Sequence, residues 1–330
     1  MGKGTHSKRH IVHKPDGTVV GEWGMRVWGR PETKKQDANR QNVHVSRQEL
    51  RRLLYDQIID KHDRIKWCHK LLEYSESKDN ISMTFRGDQS QTLTYDTQVL
   101  VGADGIRSTV RKQKIGDEVS PMRYLDCIVI LGIAPSPSSS ELTSDGETVF
   151  QTADGTTRLY AMPFSKKGFE TAGAATLSNA LEMIGKGETM WQLSFPLTEQ
   201  EAKSLSGEGA SALKKEAIKR CGKWHEPVGD LINSTPEELI SGYPVYDKEI
   251  IDANDFRIGA GSSENKEGEE HSSCPFDSKS RVTLLGDAAH PMSPFKGMKL
   301  DIKSVSNVIP FLILNNNLSL FRTRCKPSFT

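Results

Sequence analysis

Twice in this chain an apolar run with the length of a buried strand stops in small residues and a single aspartate. The first run is Val99-Leu100-Val101, followed by Gly102-Ala103-Asp104-Gly105. The second is Val282-Thr283-Leu284-Leu285, followed by Gly286-Asp287-Ala288-Ala289. A short apolar run bounded by turn residues is what a strand buried on both faces looks like. Ile106 to Lys112 then reads as a helix, giving a strand–turn–helix corner. Small side chains let a backbone approach a ligand closely, and a carboxylate can accept hydrogen bonds from hydroxyl groups. In open α/β sheets, ligands gather beyond the carboxyl ends of the strands, which is where both aspartates fall. An isolated Asp-Gly is most often an ordinary turn. The full second stretch, GDAAHPMSPFKG, is far more specific, running on through a stiff proline-rich segment to Gly297, where a helix would begin.

Around these corners the chain alternates between strands and helices. VVGEWGMRVW (19–28) and Asn42–Val45 read as strands, and Ser46 then opens the helix SRQELRRLLYDQIIDKH. Ser46 is a natural N-cap with Glu49 three places on, and Leu50, Leu53, Leu54, Ile58 and Ile59 share one face. IKWCHKLLEY, ISMTFRG and QTLTYDTQVLVGADG form a ladder feeding the first corner. Between about 120 and 245 lie YLDCIVILGIA, ETVFQTADG, TRLYAMPFS, KGFETAGAATL and MWQLSFPL, with a hairpin turn at Ala153-Asp154-Gly155. Helices are expected over 199–205 and 210–223. Residues 1–18, basic and rich in histidine, read as a disordered tail, so the helical spacing of His6, His10 and His13 is not taken for a metal site. The polar stretch 259–280 reads as a surface loop.

Several function classes drop out. With 44 basic and 43 acidic residues the net charge is +1, which gives no reason to expect nucleic acid or an anionic membrane as partner. The apolar run Val308–Leu314 is interrupted by Pro310 and falls far short of the about 20 residues a membrane span needs. Five scattered cysteines without CxxC spacing argue against a disulfide framework or a structural zinc site, and for a reducing, cytoplasmic setting. GADGIRS is neither a nucleophile elbow nor a phosphate loop, because its central residue is Asp and no GKS or GKT follows. His290, inside the second segment, is read as structural rather than as a general base.

Together the two corner segments resemble those of the FAD-dependent monooxygenases related to p-hydroxybenzoate hydroxylase. VSRQELRRLL resembles that family's arginine-bearing helix start, and WQLSFPL and YPVYDKE resemble its middle-domain and return segments, so the likeness runs from about residue 40 to 297. The resemblance implies a mixed α/β fold. It has an incomplete Rossmann-like FAD-binding domain in two pieces (19–120 and 245–297) and an inserted, mostly antiparallel substrate domain (121–244). Residues 298–330 form an aberrant C-terminal tail. The resemblance further implies that Arg47 lies near the phosphate end of FAD. Asp104 and Gly105 would sit where FAD and reduced nicotinamide pass, and Asp287 would bind a sugar hydroxyl of FAD. Gly286 and Ala288 would permit close approach, and Gly297 would begin a helix whose N-terminus faces the flavin. The implied reaction takes a hydride from NADPH or NADH and uses O2 to oxygenate a small aromatic or polycyclic substrate. No catalytic base is assigned.

The chain departs from the family at both ends. The family's opening strand–GxGxxG–helix is not found upstream of Val19, since Gly2 and Gly4 follow no apolar strand. After Gly297 the family reads close to GxGxN, whereas here Met298, Lys299, Leu300 and Asp301 stand. Truncation at the N-terminus and a gene-model error, retained intron or frameshift at the C-terminus are the readings left open. On this basis the polypeptide as written is expected to hold FAD weakly or not at all. Two rival functions remain: another flavin oxidoreductase on the same scaffold (a halogenase or reductase), and a catalytically silent fragment acting only as an interaction module.

Overall fold

The computed structural model describes residues 5–24, 42–58, 65–119, 121–136, 140–165, 187–248, 280–291 and 320–321. In chain order these form β1 (Thr5–Ser7), β2 (Arg9–His13), β3 (Val19–Gly24), β4 (Asn42–His44) and α1 (Arg47–Asp56). There follow β5 (Ile65–Lys66), β6 (Lys70–Glu76), β7 (Ile81–Arg86), β8 (Thr92–Thr97), β9 (Leu100–Gly102) and α2 (Thr109–Ile115). Next come β10 (Met122–Pro135), α3 (Glu141–Ser144), β11 (Thr148–Ala153), β12 (Arg158–Ser165) and β13 (Glu188–Pro196). The rest are α4 (Glu199–Gly207), α5 (Ala210–Cys221), α6 (Val228–Ser234), β14 (Ile240–Lys248), β15 (Val282–Leu284) and β16 (Leu320–Phe321). The chain divides into two compact units. The first comprises Met1–Gln57 and Tyr124–Val245, the second Ile58–Arg123 and Tyr246–Phe329.

The first unit is built on a seven-stranded sheet in the order β14-β10-β13-β12-β11-β2-β3. Period-two alternation makes one face of it a core. Leu159, Ala161, Trp191, Leu193 and Phe195 are buried, together with Ala202, Leu213, Ala217, Cys221, Leu231 and Ile232 from α4, α5 and α6. Each large apolar side chain buried this way contributes about 1.5–3 kcal/mol. Trp191 also needs a partner for its N–H, and Nε1 donates to Thr235 Oγ1 at 2.8 Å. Gly132 lies opposite Trp191 across the β10–β13 ladder, leaving room for the indole. α4 starts in a capping box between Thr198 and Glu201. The hairpin turn at Asp154 forms as expected, its carboxylate accepting from the backbone N–H of Thr156 and Thr157.

Two expectations in this unit are corrected. Residues 5–13 are strands rather than a disordered tail: β2 pairs in parallel with β11, burying Ile11 and His13, and β1 pairs with β4. β3, expected in the flavin-binding part, is the edge strand of the seven-stranded sheet. Backbone pairing with a strand far along the chain overrides the weak local signal of a His- and Lys-rich stretch. α1 starts as expected, with Ser46 Oγ accepting from Glu49 N at 3.1 Å, but ends at Asp56, short of the expected Ile58. Its Leu50, Leu53 and Leu54 nevertheless remain 51, 46 and 62% exposed.

The second unit has an antiparallel meander, β6-β7-β8, whose buried Ile81, Met83 and Phe85 pack with Val110 of α2 and Val282 of β15. Gln113 clamps the meander to α2, its amide exchanging hydrogen bonds with the backbone N–H and C=O of Tyr74 at 2.8 and 3.1 Å. Two short parallel pairs complete it, β9 with β15 and β5 with β16. The strand expected over KGFETAGAATL and the loop expected over 259–279 lie outside the described residues. So does the aberrant tail, apart from β16.

Candidate functional site

The two aspartate corners come together. β9 and β15 run parallel, Leu100 beside Val282 and Gly102 beside Leu284. The ladder is continued by Leu100 N to Arg281 O at 2.9 Å and Leu285 N to Gly102 O at 2.8 Å. Both strands therefore end on the same edge, and residues 103–105 and 286–289 leave it side by side. Gly102 is required by packing, since a Cβ there would stand 2.7 Å from the Val110 Cβ and 2.8 Å from Leu284. Gly105 and Gly286 are required by conformation, with φ of +85° and +61°. Space is open where a Cβ would project from either.

The two carboxylates have different employment. Asp104 Oδ1 accepts from Ser108 Oγ at 2.5 Å, and Oδ2 accepts from the backbone N–H of Thr109 at 2.7 Å and Val110 at 3.3 Å. Ser108 Oγ in turn accepts from Arg111 N at 2.9 Å. Asp104 thus satisfies the unpaired N–H groups at the start of α2, where a negative charge is also favoured by the helix dipole. In the structure its oxygens hold the turn and the start of α2. Asp287 is exposed and makes no hydrogen bond or ion pair among the described residues. It stands in a single 3-10 turn, Gly286–Ala288, closed by Ala289 N and His290 N donating to Gly286 O. Ala288 and Ala289 are buried beneath it.

One residue that sequence reasoning missed joins the corners. Arg111, in the first turn of α2, is 1% exposed. Its Nη1 donates to Ala288 O at 3.1 Å and Ala289 O at 3.3 Å. Burial lowers its pKa below the usual guanidinium value, with Asp117 opposing. A signal was present: a cation in the first turn of a helix is electrostatically misplaced unless an acceptor elsewhere claims it. Lys114, one turn on, likewise reaches Ser280 Oγ at 2.8 Å. Of the remaining expected residues, Arg47 is the exposed first residue of α1 and belongs to the first unit. Gly297 lies outside the described residues. No helix of the described residues is long and apolar enough to cross a membrane.

No family model matches the chain. It is 27% identical over 203 residues to aurachin C monooxygenase/isomerase of Stigmatella aurantiaca, covering 62% of this chain and 39% of that protein. It is 26% identical over 254 residues to the chloroplastic zeaxanthin epoxidase of an Oncidium hybrid, covering 77% and 29%. Among solved structures, Klebsiella pneumoniae HpxO, determined with FAD and uric acid, superposes with a TM-score of 0.59 at 18% identity, covering 88% of this chain and 59% of that one. The chain therefore spans well under half the length of these two relatives. With two corners set side by side at the ends of parallel strands, the chain is related in sequence to FAD-dependent monooxygenases and has their fold.

Proposed function

We propose that the Asp104 and Asp287 corners form part of an FAD site, and that the protein uses NADPH or NADH and O2 to oxygenate a small aromatic or polycyclic molecule. The observation that carries this reading is Asp287: an exposed carboxylate without a partner among the described residues, on a turn of small residues, beyond the end of a parallel strand. The relatives named as monooxygenases and the FAD-bound structural neighbour support it.

The residues present fit such a ligand. Space is open above Gly105 and Gly286, so an adenine dinucleotide could approach the backbone. Asp287 would accept a hydrogen bond from a sugar hydroxyl, a charge-assisted contact worth about 1.5–3 kcal/mol. Asp104 would act at one remove, fixing the turn and the start of α2. Arg111 would fix the direction of the carbonyls under Ala288 and Ala289. Bound flavin would supply the redox chemistry, while the chain binds and orients it. The proposed setting is cytoplasmic.

Incorporation of isotopically labelled O2 into a product, with substrate-dependent oxidation of the nicotinamide, tests the proposal. A halogenated product, or reduction of a double bond without oxygen transfer, would replace it with another flavin reaction.

A further inference from the structure

The tip of the β2–β3 hairpin, residues 14–18, is fastened to the segment between α5 and α6 at His225. His225 N donates to Pro15 O at 2.8 Å. Gly17, at φ +88°, runs so close that an added Cβ would stand 3.2 Å from the His225 Cβ. The ring of His13, the last residue of β2, lies 4.7 Å from that of His225, centre to centre. Phe150 of β11 borders both, 6.2 Å from His13 and 6.5 Å from His225. Phe150 and His13 are 1 and 5% exposed, so on that side the contact is dry.

The His225 ring is engaged at both nitrogens. The Glu226 carbonyl, 2.6 Å from Nδ1, can only accept, so Nδ1 carries the hydrogen. Nε2 of the neutral ring then accepts from the Thr152 hydroxyl at 2.8 Å. A proton added at Nε2 turns this bond round rather than breaking it, because a hydroxyl accepts as well as donates. A charge on that one ring is therefore tolerated. His13 is placed differently. Burial, and then His225, hold its imidazole below the ordinary value; the Gln151 backbone opposes them, and Arg9 of β2 adds a smaller repulsion. The charged residues on the surrounding elements are Lys14 and Asp16 at the tip, Asp154 in the β11–β12 turn, and Lys223 and Glu226 beside His225. None of these carboxylates offsets the repulsion at His13, and Asp154 bears on Cys221 of α5 instead. An apolar ring would fill the place against Phe150 equally well, whereas an imidazole adds a charge that changes between about pH 5 and 8.

We propose that the His13–His225 pair is an acid-sensitive latch: while the hairpin tip is docked the two rings hold one added proton at most, and a second releases residues 14–18 from the segment after α5. Two imidazolium rings at this spacing, walled by Phe150, repel through a medium that screens them poorly. What yields is the tip and not β2, because β2 is paired along its length with β11 on one side and β3 on the other. The tip meets the segment after α5 at Pro15 and Gly17, and parting there lets water reach both rings. The latch belongs to the first unit and stands whether or not the flavin reading does.

The test is amide hydrogen exchange in the full chain, with rates corrected for the intrinsic effect of pH, between about pH 7.5 and about pH 5.5. The His225 N–H, which donates across the latch to Pro15 O, is the reporter. Its protection should fall by about 10-fold or more over that range, while the amides of Leu159 and Leu193 in the sheet keep theirs. His13→Phe, which keeps a ring and removes the charge, should abolish the fall; His10→Phe should leave it in place. Titrating the His13 ring resonances of the parent chain gives the same test without a substitution, since its protonation should coincide with loss of protection at His225. Protection that does not change with pH overturns the proposal, as does a fall of equal size in His13→Phe. So does a fall shared by Leu159 and Leu193, or a His13 that takes up its proton while the His225 amide stays protected.

Discussion

Replacing Arg111 with methionine removes a side chain that ties α2 to the second corner while keeping a long unbranched stem in its place. Two hydrogen bonds from a charged donor disappear, each worth about 1.5–3 kcal/mol, or about 3–6 kcal/mol together. The carbonyls of Ala288 and Ala289 lose this donor. Against that, a guanidinium no longer has to be held in a nearly dry site, which returns a few kcal/mol. Its lowered pKa shows that burial outweighs the help from Asp117. The expected net loss is about 1–3 kcal/mol of stability, read from the urea unfolding midpoint. Hydrogen exchange should also quicken at residues 284–291, because the second corner is freed from α2, and FAD affinity should fall with it. Arg111→Lys should recover part of the loss, since an ammonium keeps the charge without the planar fork. Unchanged stability and unchanged exchange in Arg111→Met would refute the idea that Arg111 couples the corners.

Two other outcomes follow from the first unit. Gly132→Ala would drive a methyl into the Trp191 indole, and a thermal melt should show a loss of about 1–3 kcal/mol, as for other overpacked cores. Acid should weaken this unit, because His13, His44 and His10 are all held below the ordinary imidazole value of 6.5. Burial is the main cause in each, with His225 repelling His13, and with His10 and His6 repelling His44. The folded state takes up fewer protons than the unfolded one. The stabilisation is therefore complete above that ordinary value and is lost as pH falls through the depressed folded values. Urea midpoints measured between about pH 7.5 and about pH 5 should fall, and fall less steeply in His13→Phe; a flat profile would contradict the assignment.

The corners were legible because everything that makes them is local: an apolar run, a small-residue turn and an aspartate within a dozen positions. Arg111 was not, because its acceptors lie 177 and 178 residues away, and nothing near it in sequence names them. Asp104 was found, but its hold on Ser108 and the helix start was not, although both follow within five residues and could have signalled it. β2 was hidden for the reason that hid Arg111. With only Ile11 and Val12 as apolar residues, it owes its conformation to β11, which begins 139 residues after β2. α1 shows the converse: its leucine spacing announces a helix but does not say what, if anything, covers that face.

Titrating FAD into the purified chain and into Asp287→Ala, with flavin fluorescence as the readout, decides whether the second corner holds the dinucleotide. Weak but saturable binding to the parent chain, in keeping with the missing GxGxxG segment and weakened about a further 10- to 100-fold by the substitution, is the expected result. Equal affinity of the two proteins would place the flavin elsewhere and undo the reading of the paired corners.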